Sequence, residues 1–489
     1  MMRKNFDCRI VERIFTRLIA ALAGLSLSIC VTVSTTATAQ TGTPRDQVQP
    51  DQVWQEQVQQ GLQQVRIQAR VADKFVDSLG INVHMEYSHT PYGNYPLIDA
   101  RLRELGMRHF RDEINDTNSS FVDEINAIGK LGYTLCGVIE GGNDYPPLGT
   151  RLESSAVVPM IHNLQPTIEA VEGPNEPDDG GFVYDGVPYP QGAINESVEL
   201  WHIVKDSSEI GALPVLAMSE GNAQDFTELA KLVKRKKIPP PIDYTSYGNM
   251  HAYQNGGLGD DGLGWFIHLS QDWTGSEVRW TTEMGYHNNI NYLSDGEQQG
   301  VSQRASAIYL PTAFLSGFDR GVSRTFSYEL IDEVKDPCLP KCSGEGSYGL
   351  LNYAGTVKPA YTALKSLIAL LQEPGVKDFE PGSLTITFSG APSTLRYILL
   401  QKSSGYYLAL WNDVSVYQVA TQDTPGVDLY PENVPITLTF SASKELTIYA
   451  PNDASGVNPT DAYTISKTPS SINLDLPPKV LLIKIVGDS

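Results

Sequence analysis

From residue 78 onward, short apolar runs alternate with segments whose apolar residues recur at helical spacing. The runs are LGINVHM (79–85), MRHFR (107–111), YTLCGVI (133–139), TIEAVE (167–172), LPVLAM (213–218), IDYTSY (242–247), VRWTTE (278–283) and VSRTFSY (322–328). Their length and β-branched or aromatic content predict strands. Between and after them, SVELWHIVKDSS (197–208), RASAIYLPTAFLSGF (304–318) and KPAYTALKSLIALLQ (358–372) carry the period of amphipathic helices. From the first strand start to the last is 322 − 79 = 243 residues over seven repeats, about 35 per unit. That is enough for a strand, a helix and two loops. Eight such units predict an α/β fold, a (β/α)8 TIM barrel. An open doubly wound sheet is the other arrangement, but no Gly-rich fingerprint follows the first strand.

After Glu373-Pro374-Gly375 the helical period stops. SLTITF, RYILLQ, YYLALWN, PITLTF, ELTIYA and KVLLIKIV follow, separated by Gly, Pro, Asn and Asp. This predicts a β-sandwich over 376–489. The barrel is then assigned to 73–375. Residues 40–72 begin as a linker rich in Gln, Thr and Asp, and VRIQARV (65–71) within them is a strand that could join the sandwich.

The first 39 residues have a different pattern. Arg3, Lys4, Arg9, Arg13 and Arg17 precede a mostly apolar stretch from Leu18 to Val33, and Ala37-Thr38-Ala39 offers a small-residue cleavage site. This is the form of a secretory signal cleaved after Ala39, which places the mature protein outside the cell or in a periplasm. The apolar stretch is short for a membrane span, and no later segment is apolar enough for one. The whole chain carries a net charge of −21. Five basic and two acidic residues leave with the leader, giving −21 − 3 = −24. Such a surface excludes nucleic acid as a partner and fits neutral ligands. With 41% hydrophobic and 19% charged residues the chain is globular rather than disordered. Cys338 and Cys342, two residues either side of Pro340, are expected to form a disulfide in an exported chain, and Cys136 in an apolar run reads as a buried thiol.

In a barrel of this kind the loops after strand C-termini build the site, so the informative residues are polar ones that end strands. Strand four runs into Asn175-Glu176, strand six into His251 and Tyr253, strand seven into Glu283, strand eight into Tyr328-Glu329, and strand two into Arg111-Asp112. Two carboxylates facing each other across a cavity suit glycosidic bond cleavage. One protonates the leaving oxygen while the other attacks the anomeric carbon. A gap of about 5–5.5 Å gives retention of configuration and a wider gap gives inversion.

Around these residues, over roughly 73–370, the chain resembles the glycoside hydrolases of clan A, retaining (β/α)8 enzymes. The resemblance rests on Asn175-Glu176-Pro177, on Trp280-Thr-Thr-Glu283, on His251 and Tyr253, and on the Tyr348–Tyr361 stretch YGLLNYAGTVKPAY. It implies that Glu176 is the acid/base, Glu283 the nucleophile, and Asn175 a partner of the sugar 2-hydroxyl. Tyr253 would orient Glu283, His251 would contact Glu176 or substrate, and Arg111 would lie beside Glu283 or pair with Asp112 or Glu113.

Further substrate contacts are expected from His84 and Glu86 at the end of strand one, and from Tyr328 and Glu329. Glu172 is read mainly as part of an interior polar network, and Glu140, at the end of strand three, either touches sugar or only closes the cavity floor. Two loops, 178–193 with Phe182, Tyr184 and Tyr189 and the Gly-rich 254–264, are candidates for setting specificity. No clustered ligand motif is present, so no metal and no cofactor is expected. The function expected is a secreted retaining glycosidase acting on a poly- or oligosaccharide. A carbohydrate-binding protein on the same barrel, or a transglycosylase using the same two glutamates, are the alternatives.

Overall fold

The computed structural model of the 489-residue chain describes residues 62–114, 119–141, 151–178, 181–293, 298–339, 342–376, 379–450, 463–465 and 470–486. The expected leader at 1–39 and most of the linker lie outside the described residues.

Two strands open this part of the chain, β1 (Leu62–Gln68) and β2 (Arg70–Val71). Then come β3 (Leu79–Asn82), β4 (His109–Glu113), β5 (Thr134–Val138) and β6 (Ile168–Glu172). A small hairpin follows, β7 (Val183–Tyr184) with β8 (Val187–Pro188), and then β9 (Gly248–His251), β10 (Arg279–Met284) and β11 (Arg324–Ser327). Seven of these form one parallel sheet in the order β6-β5-β4-β3-β11-β10-β9. Parallel neighbours need crossover connections. Helices such as Tyr95–Leu105, Ser119–Gly129, Gln191–Lys205 and Gln303–Asp319 supply them. Residues of β3 and β9 are buried throughout, as expected when helices cover a parallel sheet.

Residues 214–219 run between the two outer strands of this sheet. Val215 bridges Val171, Ser219 bridges Asn175, and Leu216 bridges Tyr247, all in parallel. This stretch, expected as a regular strand, makes isolated bridges only.

Strand six is shifted from its expected place. Residues 242–247 are not a strand. Pro241–Asp243 forms a 3-10 turn, and the strand begins at Gly248. Pro239, Pro240 and Pro241 have no backbone N–H to give a ladder, so the apolar run becomes the approach to the sheet. As a consequence Asn249 and His251 lie within the strand, two apart, and share its inward face.

Inside the sheet the floor is apolar: Cys136, Ala170, Leu216, Trp280 and Phe326 pack together. Strict alternation along β10 would put Trp280 and Glu283 on opposite faces. A register shift between Thr281 and Glu283 resolves this, and both residues face the interior.

The remaining strands are β12 (Ser383–Ser389), β13 (Leu395–Lys402), β14 (Gly405–Asn412), β15 (Tyr417–Gln418), β16 (Val427–Asp428), β17 (Val434–Phe440), β18 (Glu445–Tyr449), β19 (Tyr463–Ile465), β20 (Ser471–Leu476) and β21 (Leu481–Val486). They form two main sheets, β1-β12-β17-β20 and β19-β18-β21-β14-β13-β2, with a shared apolar core. The strands at the start of the described chain thus complete both sheets. Burial alternates along β12 and β20 but is nearly continuous along β14. Tyr406, Leu408 and Leu410 of β14 join the core between the two sheets, while Tyr407, Ala409 and Trp411 pack on the parallel-sheet body.

The helix Gln303–Asp319 is buried at every position from Ala305 to Phe318. It lies between the parallel sheet and the β-domain, so both its faces must be apolar. Its Tyr309 hydroxyl accepts from the N–H groups of Val416 (2.9 Å) and Tyr417 (3.1 Å). No helix among the described residues is long and apolar enough to cross a membrane.

Candidate active site

Above the apolar floor lies a layer of buried polar groups centred on Arg111 in β4. Its guanidinium donates to both oxygens of Glu172 (2.8 and 3.0 Å), to Asn82 (2.9 Å), to Glu283 (2.7 Å) and to Asn175 (2.7 Å). Arg111 therefore pairs with Glu172 and Glu283 rather than with Asp112 or Glu113. Glu172 also accepts from Asn249 (2.8 Å) and Thr282 (3.0 Å). A planar five-donor fork fits this arrangement better than any other side chain.

Asn175 and Glu176 follow the end of β6. The Arg111 bond fixes the Asn175 amide with its oxygen inward, and the Asn175 N–H donates to Glu140 (2.7 Å). Glu176 has φ 39°, an uncommon conformation for a residue with a side chain. Its carboxylate lies against Gly221. A Cβ at that glycine would stand 2.8 Å from Glu176 Cδ, so the site needs glycine there.

Glu283 closes the other side. The Tyr253 hydroxyl donates to its Oε2 (2.7 Å). His251 stands between the two glutamates, with Nδ1 2.6 Å from Glu176 Oε1 and 3.5 Å from Glu283 Oε2. Its Nε2 faces Thr282 Oγ1 at 3.2 Å, a hydroxyl that itself donates to Glu172 or Asn249. The facing atoms of Glu176, His251 and Glu283 all lie within 4.8 Å of one another.

The electrostatics separate the groups. Burial alone would raise the Glu283 carboxyl, but the His251 and Arg111 charges and the Tyr253 hydrogen bond outweigh it and hold the group below the usual range. Burial would lower His251, yet Glu283 and Glu176 raise it. Burial and the adjacent Glu283 push the Tyr253 hydroxyl well up, so it stays a donor.

These groups line a cleft of about 870 Å³. Asn175, Glu176, His251, Tyr253, Arg111, Glu283, His84 and Tyr328, all expected at the site, line it. Two expected contacts do not. Glu329 is wholly buried behind the wall, where Tyr92 donates to it (2.9 Å). Glu86 lies in the turn after β3 and does not line the cleft, while its neighbour Tyr87 does. The aromatic residues of 178–193 also turn away. Tyr184 donates to Glu199 (2.6 Å), Tyr189 donates to Glu220 (3.0 Å), and Phe182 packs on the apolar core. Hydroxyl groups bonded to the partly exposed Glu199 and the buried Glu220 hold these residues down. In the Gly-rich loop Asn255 lines the cleft, and Asp260 is engaged by Arg320 (2.7 Å).

The cleft wall also contains residues not expected to line it, notably Asn82, Glu113, Tyr348 and Glu345. Asn82 was the one legible signal, a polar residue inside an apolar strand. Glu345 receives the Tyr328 hydroxyl (2.8 Å), and the enclosing walls push it up to about 7 although its side chain touches water. The Cys338–Cys342 disulfide lies in the same connection, next to the rim residues Ser343 and Gly344.

No family model matches the chain, and no curated protein matches it. Solved structures do. A GH39 enzyme from Xanthomonas axonopodis pv. citri is similar with TM-score 0.55 at 15% identity, over 86% of this chain and 95% of that chain. A monomeric beta-xylosidase from Caulobacter crescentus CB15 gives 0.53 at 14%, over 86% and 97%. A glucosidase from Croceicoccus marinus gives 0.52 at 11%, over 80% and 92%. At these identities the likeness shows a shared fold.

Proposed function

We propose that this protein is a clan A glycoside hydrolase that cleaves a neutral oligo- or polysaccharide with retention, on a closed eight-stranded barrel whose fifth strand is 214–219. The observation that carries the reading is the approach of Glu176 and Glu283, with oxygens within 4.8 Å and His251 between them. That spacing suits a direct attack on the anomeric carbon. Inversion needs about 6.5–9.5 Å to admit water.

Glu283, held ionised by Arg111 and Tyr253, attacks the anomeric carbon as Glu176 protonates the departing oxygen. The C–O bond breaks and a glycosyl ester forms on Glu283. Glu176, now ionised, takes a proton from water, which attacks the same carbon and releases Glu283. With its oxygen engaged by Arg111, Asn175 presents its amide N–H₂ to a sugar hydroxyl. The names of the similar structures, a xylosidase and a glucosidase, support a neutral sugar, as does a rim carrying Glu113, Asp178 and Glu345.

The test is proton NMR of hydrolysis over a panel of xylo-, gluco- and galacto-configured substrates. The anomer formed first should match the substrate, and Glu283→Gln should lose roughly 10⁴-fold or more in kcat. First formation of the opposite anomer would reject the reading. Export is part of the proposal, and the secreted protein should begin at Gln40 by N-terminal sequencing.

A further inference from the structure

At the cleft wall, His84 meets Glu329 and Glu333, which lie behind it. His84 Nε2 stands 3.7 Å from Glu329 Oε2 and 3.8 Å from Glu333 Oε1, with side-chain exposures of 9%, 0% and 17% respectively. Buried polar atoms in proteins nearly always have a hydrogen-bond partner. Here both ring nitrogens of His84, Glu329 Oε1 and Glu333 Oε1 are buried without one.

We propose that this cluster is a binding site for a divalent transition-metal ion of the Zn²⁺ class, held by His84 Nε2 and one oxygen each of Glu329 and Glu333. An imidazole with two carboxylates is a nitrogen–oxygen set that such ions accept, whereas Ca²⁺ prefers oxygen alone. Bonds of about 2.0–2.2 Å place tetrahedral ligands roughly 3.3–3.6 Å apart. The observed gaps therefore close with movements of a few tenths of an ångström. A dication would also neutralise two carboxylates that otherwise face each other.

The ligands are held in place. The His84 ring stacks on Tyr87 (4.8 Å between centroids) and meets the edges of Tyr92 and Tyr328. Tyr92 donates to Glu329 (2.9 Å) and accepts from the Ile331 N–H (3.0 Å), the kind of outer contact that orients a metal-binding carboxylate. Asp332, between the two glutamates, is tied to Lys358 (2.7 Å). The catalytic trio Glu176, His251 and Glu283 is equally close together. There, however, Arg111 already supplies a cation at 2.7 Å and Tyr253 a donor, which leaves no place for a metal. Because His84 also lines the cleft, the ion would stand at its wall, with a coordination position for water.

The experiment is equilibrium dialysis of untagged, chelator-stripped protein against Zn²⁺, read by elemental analysis, together with thermal unfolding. Wild type should take up one tight Zn²⁺ per chain and gain Tm. Glu333→Gln and Glu329→Gln should each weaken binding at least about 10-fold. Glu176→Gln should bind as wild type. The proposal is overturned if the stripped protein takes up no Zn²⁺, if uptake survives both cluster substitutions, or if it is lost in Glu176→Gln. Glu333 is partly exposed, so Glu333→Gln decides the matter if Glu329→Gln does not fold.

Discussion

At the scale of single residues, the site separates two chemically identical side chains by their neighbours. Glu283 receives Arg111 and Tyr253, while Glu176 is touched by the His251 ring and borders Gly221. Tyr253→Phe removes a donor to a charged carboxylate, worth about 1.5–3 kcal/mol. The expected loss in kcat/KM is roughly 10–100-fold. Because the Tyr253 bond helps keep Glu283 depressed, its removal should also move the acid limb of the pH–rate profile to higher pH. A lost rate with an unmoved limb would contradict this role. Gly221→Ala should push Glu176 aside and abolish most activity while leaving thermal unfolding nearly unchanged. Glu176 and Glu283 were legible in the sequence because polar residues ending apolar runs are conspicuous. Glu329 had the same pattern, yet it lies buried under Tyr92, and no local feature of Ser327-Tyr328-Glu329 distinguishes it.

At the scale of elements, regular periodicity was readable and irregular pairing was not. The helices at 303–319 and 359–371 fall at their expected places, while the one expected at 197–208 starts earlier and runs over 191–205. β9 does not, because a proline run displaced it. The rim residue Glu345 sits in a long connection without periodicity, and Tyr348 beside it stands in the sequence only as the start of a motif, with nothing to mark it as a cleft residue. The helix 303–319, expected as amphipathic, is instead buried at every position from Ala305 to Phe318, because it is covered on both sides. Tyr309→Phe would leave the Val416 N–H without its acceptor and the Tyr417 N–H with only the longer bond to Ser415 Oγ (3.4 Å). The expected cost is about 1–3 kcal/mol of stability, read as a lower urea midpoint. An unchanged midpoint would show that the contact between helix and β-domain does not depend on this hydroxyl.

For the whole molecule, the two ends of the parallel sheet do different work. The residues that line the cleft gather at the strand C-termini, while the N-terminal end holds a charged network. There His109 lies 2.6 Å from Glu169 and 3.5 Å from Asp77, with Arg108 and Arg324 beside Asp77. Burial would lower His109, but Asp77 and Glu169 outweigh burial and Arg324 and raise it. A raised folded value means that this stability is fully present below about pH 6.5 and is lost as pH rises through the folded value. The Tm of wild type should fall over that rise, and His109→Gln should flatten the change. The β-domain draws its strands from both ends of the chain, with β1 pairing along β12 from Leu62–Ser389 to Gln68–Ser383. A chain starting at Ala72 should therefore lose stability and aggregate through the exposed edge of β12.

The measurement that bears most directly on the central claim is intact-mass analysis of the protein treated with activated 2-fluoro glycosides, followed by peptide mapping. A retaining mechanism with Glu283 as nucleophile predicts one covalent glycosyl adduct on Glu283, absent in Glu283→Gln. An adduct mapped to a different carboxylate would contradict it, as would turnover of the parent glycosides with no adduct from any of their 2-fluoro analogues.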